Sequence, residues 1–139
     1  MKVVRQEAAV AVDKEDGTHV RYYAFPEYEI HYNEVLPQTT QQWHHHELIE
    51  EVIYVILGSI SVYWEDQGET QYAELKEGDL VRVESTPHTF TNFSRRTARF
   101  MVFRMVPDGS DKHEIIKADK VEDVPPANWR KKSNRIHEL

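Results

Sequence analysis

Apolar and polar residues alternate with a period of two along most of the chain, the spacing at which side chains fall on one face of a β-strand. Residues 20–25 (VRYYAF) are rich in β-branched and aromatic types, and residues 28–36 (YEIHYNEVL) alternate until Pro37 stops them. A short apolar run at 51–57 (EVIYVIL) ends at Gly58, and 59–64 (SISVYW) begins another strand. The acidic stretch 65–68 (EDQG) predicts a hairpin turn, 70–75 its return strand, and Glu77-Gly78-Asp79 the next turn. Residues 80–83 follow as a short strand. After the break at Thr86-Pro87, residues 88–93 (HTFTNF) alternate again, and 98–106 (ARFMVFRMV) form the last strong strand before Pro107-Asp108-Gly109. Many short strands separated by turn residues predict an all-β sandwich or barrel.

From about Lys112 the pattern changes. One further strand is expected at 113–117, followed by charged residues and Pro125-Pro126. Trp129 is isolated in this polar tail, and a side chain of that size is expected to bury itself on the barrel or on a neighbouring subunit. The reading is therefore one domain over residues 1–139, with a barrel at about 20–109 and an irregular tail at about 110–139.

Composition narrows the possibilities. The 139 residues are 40% hydrophobic and 29% charged, enough for one soluble domain with a real core. There is no cysteine, which excludes disulfides and thiolate ligands. The formal charge of −7 argues against nucleic acid as a partner, and the basic cluster Arg130, Lys131 and Lys132 reads as a solvated tail. No apolar stretch reaches the roughly 20 residues of a membrane span. The N-terminus turns polar too early for a signal peptide, so the cytoplasm is the expected location. Exposed strand edges need covering, so a homodimer is expected, with the N-terminal segment VVRQEAAVAV able to add a strand to a partner.

The chemistry concentrates between Trp43 and Gly58. His44 and His46 are two apart, so on an extended segment they project together, roughly 6 to 7 Å apart at the backbone. His45 then points the other way. Glu51 opens an apolar strand, where an ionised carboxylate needs a partner. His88 begins a later strand behind Ser85-Thr86-Pro87. Three imidazoles and one carboxylate suit Fe(II), Mn(II), Zn(II), Ni(II), Co(II) or Cu(II). His19, His31, His113 and His137 fit no ligand spacing. Tyr28, Tyr32, Trp43, Tyr54, Tyr63, Trp64, Phe90 and Phe93 flank these positions, and alternation is expected to turn about half of them inward, toward a small organic ligand.

This arrangement resembles the cupins. Their first motif, His-x-His, three or four residues, Glu, six residues, Gly, is matched by His44, His46, Glu51 and Gly58. Gly78, His88 and Asn92 match the second motif in part, while Glu84 and Thr86 stand where the family often has Pro and Gly. The resemblance implies a double-stranded β-helix, or jelly-roll barrel, with a divalent metal on His44, His46, Glu51 and His88 near its open mouth. It also implies a metal-dependent enzyme on a small molecule, of the oxygenase or the isomerase and lyase type. A non-catalytic module that binds or senses a small ligand is the alternative.

Overall fold

The structure, a computed structural model, describes residues 1–129; the basic cluster at 130–132 and His137 lie outside the described residues. The chain divides into two compact units, Met1–Asp108 and Gly109–Leu139.

The first unit is built from ten strands: β1 (Val10–Asp13), β2 (Thr18–Ala24), β3 (Tyr28–Val35), β4 (Thr39–Thr40), β5 (Glu50–Leu57), β6 (Ser59–Asp66), β7 (Glu69–Lys76), β8 (Leu80–Arg82), β9 (His88–Asn92) and β10 (Ala98–Met105). They form a six-stranded sheet in the order β1-β2-β3-β10-β5-β8 and a four-stranded sheet in the order β4-β9-β6-β7, with antiparallel pairing throughout. This is the expected jelly-roll architecture, and the strands keep nearly the expected bounds. Local chemistry explains why. The β6–β7 hairpin turns on Gln67 and Gly68, both at positive φ (50° and 79°), the backbone that a two-residue turn between twisted strands requires. Gly58, between β5 and β6, has φ of 75°, and a Cβ there would come within 3.2 Å of the Thr97 carbonyl oxygen.

The two sheets share one apolar core. Val35, Ile53, Val55, Ala98, Phe100 and Val102 come from the six-stranded sheet, and Ile60, Val62, Leu75 and Phe90 from the four-stranded one. The rings of Phe90 and Phe100 meet at 6.2 Å across the interior. On β10 the alternation is regular, with Ala98, Phe100 and Val102 buried and Arg99, Met101 and Phe103 outward.

On β3 the same alternation is inverted relative to its chemistry. The polar phase, His31 and Asn33, is buried at 3% and 5% exposure, while the aromatic phase faces out, with Tyr28 at 39%. The aromatic residues consequently do not divide evenly as expected. Of the eight, Phe90 alone is buried, whereas Tyr28, Trp43, Tyr54 and Phe93 are between 39% and 56% exposed. Strand β9 departs in another way: all five of its residues are buried, its threonines as well as His88 and Phe90.

At the N-terminus, Val10–Asp13 pairs in register with β2 of its own chain, Val10 opposite Tyr22, and forms an edge of the six-stranded sheet. One expectation for the C-terminal end is corrected. In the second unit, the strand expected at 113–117 is a helix, α1 (His113–Ala118). Adjacent Ile115 and Ile116 would point to opposite faces of a strand. The helix follows a turn in which Asp111 Oδ1 accepts from the His113 N–H at 2.9 Å, with Lys112 at the N-cap. Glu114 in its first turn and Lys117 in its last complement the helix dipole. Trp129 is 58% exposed.

Candidate metal centre

Where β5 begins, the interior of the barrel changes from apolar to polar. Glu51 is the first inward residue of that strand and lies opposite Arg104 of β10. It is 2% exposed, yet it is a carboxylate. Its Oε2 accepts a hydrogen bond from Arg104 Nε at 2.6 Å, a contact between groups of opposite charge type. Both carboxylate oxygens border the histidines, Oε2 nearer His46 and Oε1 nearer His88.

His44 and His46 lie on an extended segment that carries a single bridge, His44 to His88, rather than a full strand. The reciprocal backbone bonds of that bridge, 3.0 and 2.9 Å, fasten the segment to the start of β9. The His44 and His46 rings stand 5.1 Å apart, and those of His44 and His88 stand 4.5 Å apart. His45 points away, beside Glu47 at 3.4 Å on the surface.

The imidazoles are oriented by the backbone. His44 Nδ1 donates to the Gln42 carbonyl at 2.8 Å, and His88 Nδ1 donates to the Thr86 carbonyl at 2.7 Å. A carbonyl can only accept, so Nδ1 carries a proton, and Nε2 is the nitrogen of each ring that can present a lone pair. Such anchoring is how metal-binding histidines are usually fixed. Burial is the largest influence on His46 and His88 and lowers both below the ordinary imidazole value of 6.5, outweighing the opposing pull of Glu51 and, for His88, of the Thr86 carbonyl. Both rings are therefore neutral at neutral pH.

Nε2 of His46 and Nε2 of His88 are buried and have no hydrogen-bond partner among the described residues. The first lies 3.2 Å from Glu51 Oε2 without hydrogen-bond alignment, and the second lies 4.0 Å from Glu51 Oε1. Lone pairs and a carboxylate facing one another at this range call for a cation between them. His44, His46 and Glu51 each bring one ligand atom to within 4.8 Å of the others, a group that can hold a metal ion. His88 borders that group, its ring 6.2 Å from that of His46. The donor set fits a divalent transition metal.

Several side chains at this end of the barrel were not anticipated from sequence. Arg104, His31 and Asn33 line a cavity of about 90 Å3 together with His44 and Glu51. His31 Nε2 bonds Glu29 Oε2 at 2.8 Å, and its ring meets Tyr22 edge-on at 4.4 Å. Burial is again the largest cause of a lowered pKa at His31, ahead of the opposing bond to Glu29. The signal for Arg104 was present: it follows Ala98, Phe100 and Val102 in the same phase, a charge continuing an apolar row. On its other side, His88 borders a second hollow of about 250 Å3, walled by Val62, Trp64, Val81 and Val83.

Known proteins place this geometry. The Cupin domain family matches residues 31–104. Among solved structures, the polyketide cyclase RemF from Streptomyces resistomycificus superposes with a TM-score of 0.63 at 27% identity, covering 76% of this chain and 79% of its own. A CENP-C domain from Drosophila melanogaster has a TM-score of 0.63 at 16% identity, covering 73% of this chain and 76% of that one. A Bacillus subtilis oxalate decarboxylase with Mn(II) centres has a TM-score of 0.64 at 21% identity, covering 76% of this chain and 29% of that one. The present chain thus corresponds to under a third of that decarboxylase. No curated protein sequence matches it.

Proposed function

Because the chain belongs to the cupin domain family, we propose that it is a metal-dependent enzyme of the isomerase or lyase type, acting on a small carbonyl compound. The observation that carries this reading is the pair of buried, unpartnered Nε2 atoms of His46 and His88 facing the carboxylate of Glu51. His44, His46, Glu51 and His88 would hold the ion; Zn(II), Mn(II), Fe(II) and Ni(II) all suit these donors. When bound, it would supply a Lewis acid to a substrate oxygen.

The protein's own residues do the rest. Arg104 holds Glu51 in place through Oε2, so that the carboxylate stays turned toward the histidines. The Gln42 and Thr86 carbonyls hold His44 and His88 in the tautomer that can bind. His31, neutral and hydrogen-bonded to Glu29 inside the same cavity, is the group placed to take a proton from a substrate and return it. The hollow beside Trp64 offers apolar contact for the body of the molecule. Similarity to a polyketide cyclase at 27% identity favours carbonyl chemistry over oxygen chemistry.

Solvent hydrogen exchange at the acidic carbon of a 1,3-dicarbonyl compound, followed by NMR on zinc- or manganese-loaded protein, tests this. Wild type should exchange the proton without consuming oxygen. His31→Gln should keep its metal and slow exchange by about 10²-fold or more, and His88→Ala should lose both metal and exchange. Oxygen uptake by the iron-loaded protein would move the reading to an oxygenase. A loaded protein that does neither is a binding module.

A further inference from the structure

The cavity beside Glu51 carries more hydrogen-bond donors than the protein satisfies. Asn33 is 5% exposed and lines it, yet its Nδ2 has no hydrogen-bond partner among the described residues. A buried amide N–H without an acceptor is costly, and native structures keep few of them without a reason. Arg104 lines the same cavity and spends only its Nε on Glu51; its terminal nitrogens make no hydrogen bond to any described residue. Lys14, in the turn between β1 and β2, brings a second cationic side chain to the rim. The core residues Ile53 and Phe100 also line the cavity.

We infer that this cavity binds the carboxylate of a small organic acid, gripped by the Asn33 amide and the free end of the Arg104 guanidinium. A guanidinium offers parallel N–H groups in a fork that matches two carboxylate oxygens, and an amide N–H can add a third bond from the side. Ile53 and Phe100 take the carbon skeleton. The cavity volume of about 90 Å3 suits an acid of a few heavy atoms or the acidic end of a longer one. The inference deepens the carbonyl-enzyme reading, because it names the substrate class of the same site. It does not depend on the metal, since every donor it uses belongs to the chain. Arg104 thereby serves two groups: its Nε steadies Glu51 and its terminal nitrogens take the ligand.

The test titrates metal-free and zinc-loaded protein with acetate, with acetamide as the neutral probe of the same shape. NMR follows the Asn33 side-chain amide and the Arg104 Nε–H. Acetate should shift both signals in each form, and acetamide should need at least about tenfold higher concentration. Asn33→Leu and Arg104→Gln should each weaken acetate binding by about tenfold, while Arg99→Gln, on the outer face, should leave it unchanged. Asn33→Leu removes an unpaired donor and touches neither Glu51 nor its partner, so it should fold as well as wild type even where Arg104→Gln does not. Acetate binding unchanged in folded Asn33→Leu, or acetamide binding as tightly as acetate, would overturn the inference. Metal content measured on the same samples separates the two readings. Acetate captured through Asn33 by a protein that holds no metal would keep the acid site and overturn the metal enzyme. Metal held with no response at Asn33 would do the reverse.

Discussion

The two ends of the barrel interior are built on the same strands and differ in what those strands point inward. Along β3 the inward row runs from His31 and Asn33 to Val35; along β5 it runs from Glu51 to Ile53 and Val55; along β10 it runs from Ala98, Phe100 and Val102 to Arg104. Antiparallel register aligns these changes, so Glu51 meets Arg104 at one end and Val35 meets Ala98 at the other. One end is a dry core that stabilises the fold. The other holds charged and unpartnered groups that cost stability unless something binds them.

Two buried asparagines show the contrast within one residue type. Asn92, at the dry end, is fully satisfied: its Nδ2 donates to the Val35 and Arg96 carbonyls at 2.9 and 2.8 Å, and its Oδ1 accepts from the N–H and hydroxyl of Ser94. Asn33, at the polar end, leaves its Nδ2 unpaired. The first is part of the structure; the second waits for a ligand.

The largest effect should come from the dry end. Phe100 is 2% exposed and touches Phe90 across the sheets, so Phe100→Ala should lower unfolding free energy by about 3–5 kcal/mol in urea titrations of metal-free protein. A loss under about 1 kcal/mol would mean that the two sheets do not share a close-packed core. The asparagine pair sharpens the contrast. Asn92→Leu orphans two carbonyls and should cost about 2–4 kcal/mol, whereas Asn33→Leu should change stability by less than about 1 kcal/mol or raise it. Equal losses at the two positions would erase the distinction between the ends.

The polar end should also set a dependence on pH. Burial holds the pKa values of His46 and His88 below 6.5, so below that pH the unfolded chain takes up protons that the fold resists. The metal-free protein should therefore have its full stability above pH 6.5 and lose some as pH falls through the lowered folded-state values. Urea midpoints at pH 7.5 and 5.5 check this, with His88→Asn expected to flatten the difference. A wild type more stable at pH 5.5 would contradict the sign.

Much of this was legible in the sequence. Turn residues such as Gly58, Gly68 and Pro37 punctuate the strands because their backbone demands are local, and the period of two needs only the chain itself. The His44, His46 and Glu51 group was readable because its spacing is short and fixed by one segment and one strand. Alternation, however, gives two faces without saying which is inside. On β3 a polar site claims the interior, and His31 and Asn33 went unassigned because neither belongs to a recognisable ligand spacing. Arg104 was missed for a related reason: its partner Glu51 lies 53 residues away, and only sheet register brings the two together. The tail helix was misjudged because a window of six residues carries too little periodicity to separate a helix from a strand.

The most direct test of the polar end is elemental analysis of tag-free protein purified without added metal and again after anaerobic Fe(II) loading, with His46→Ala and His88→Ala beside wild type. The account predicts close to one transition-metal ion per chain in wild type and its loss in both variants. Wild type that retains no metal under either condition would contradict it.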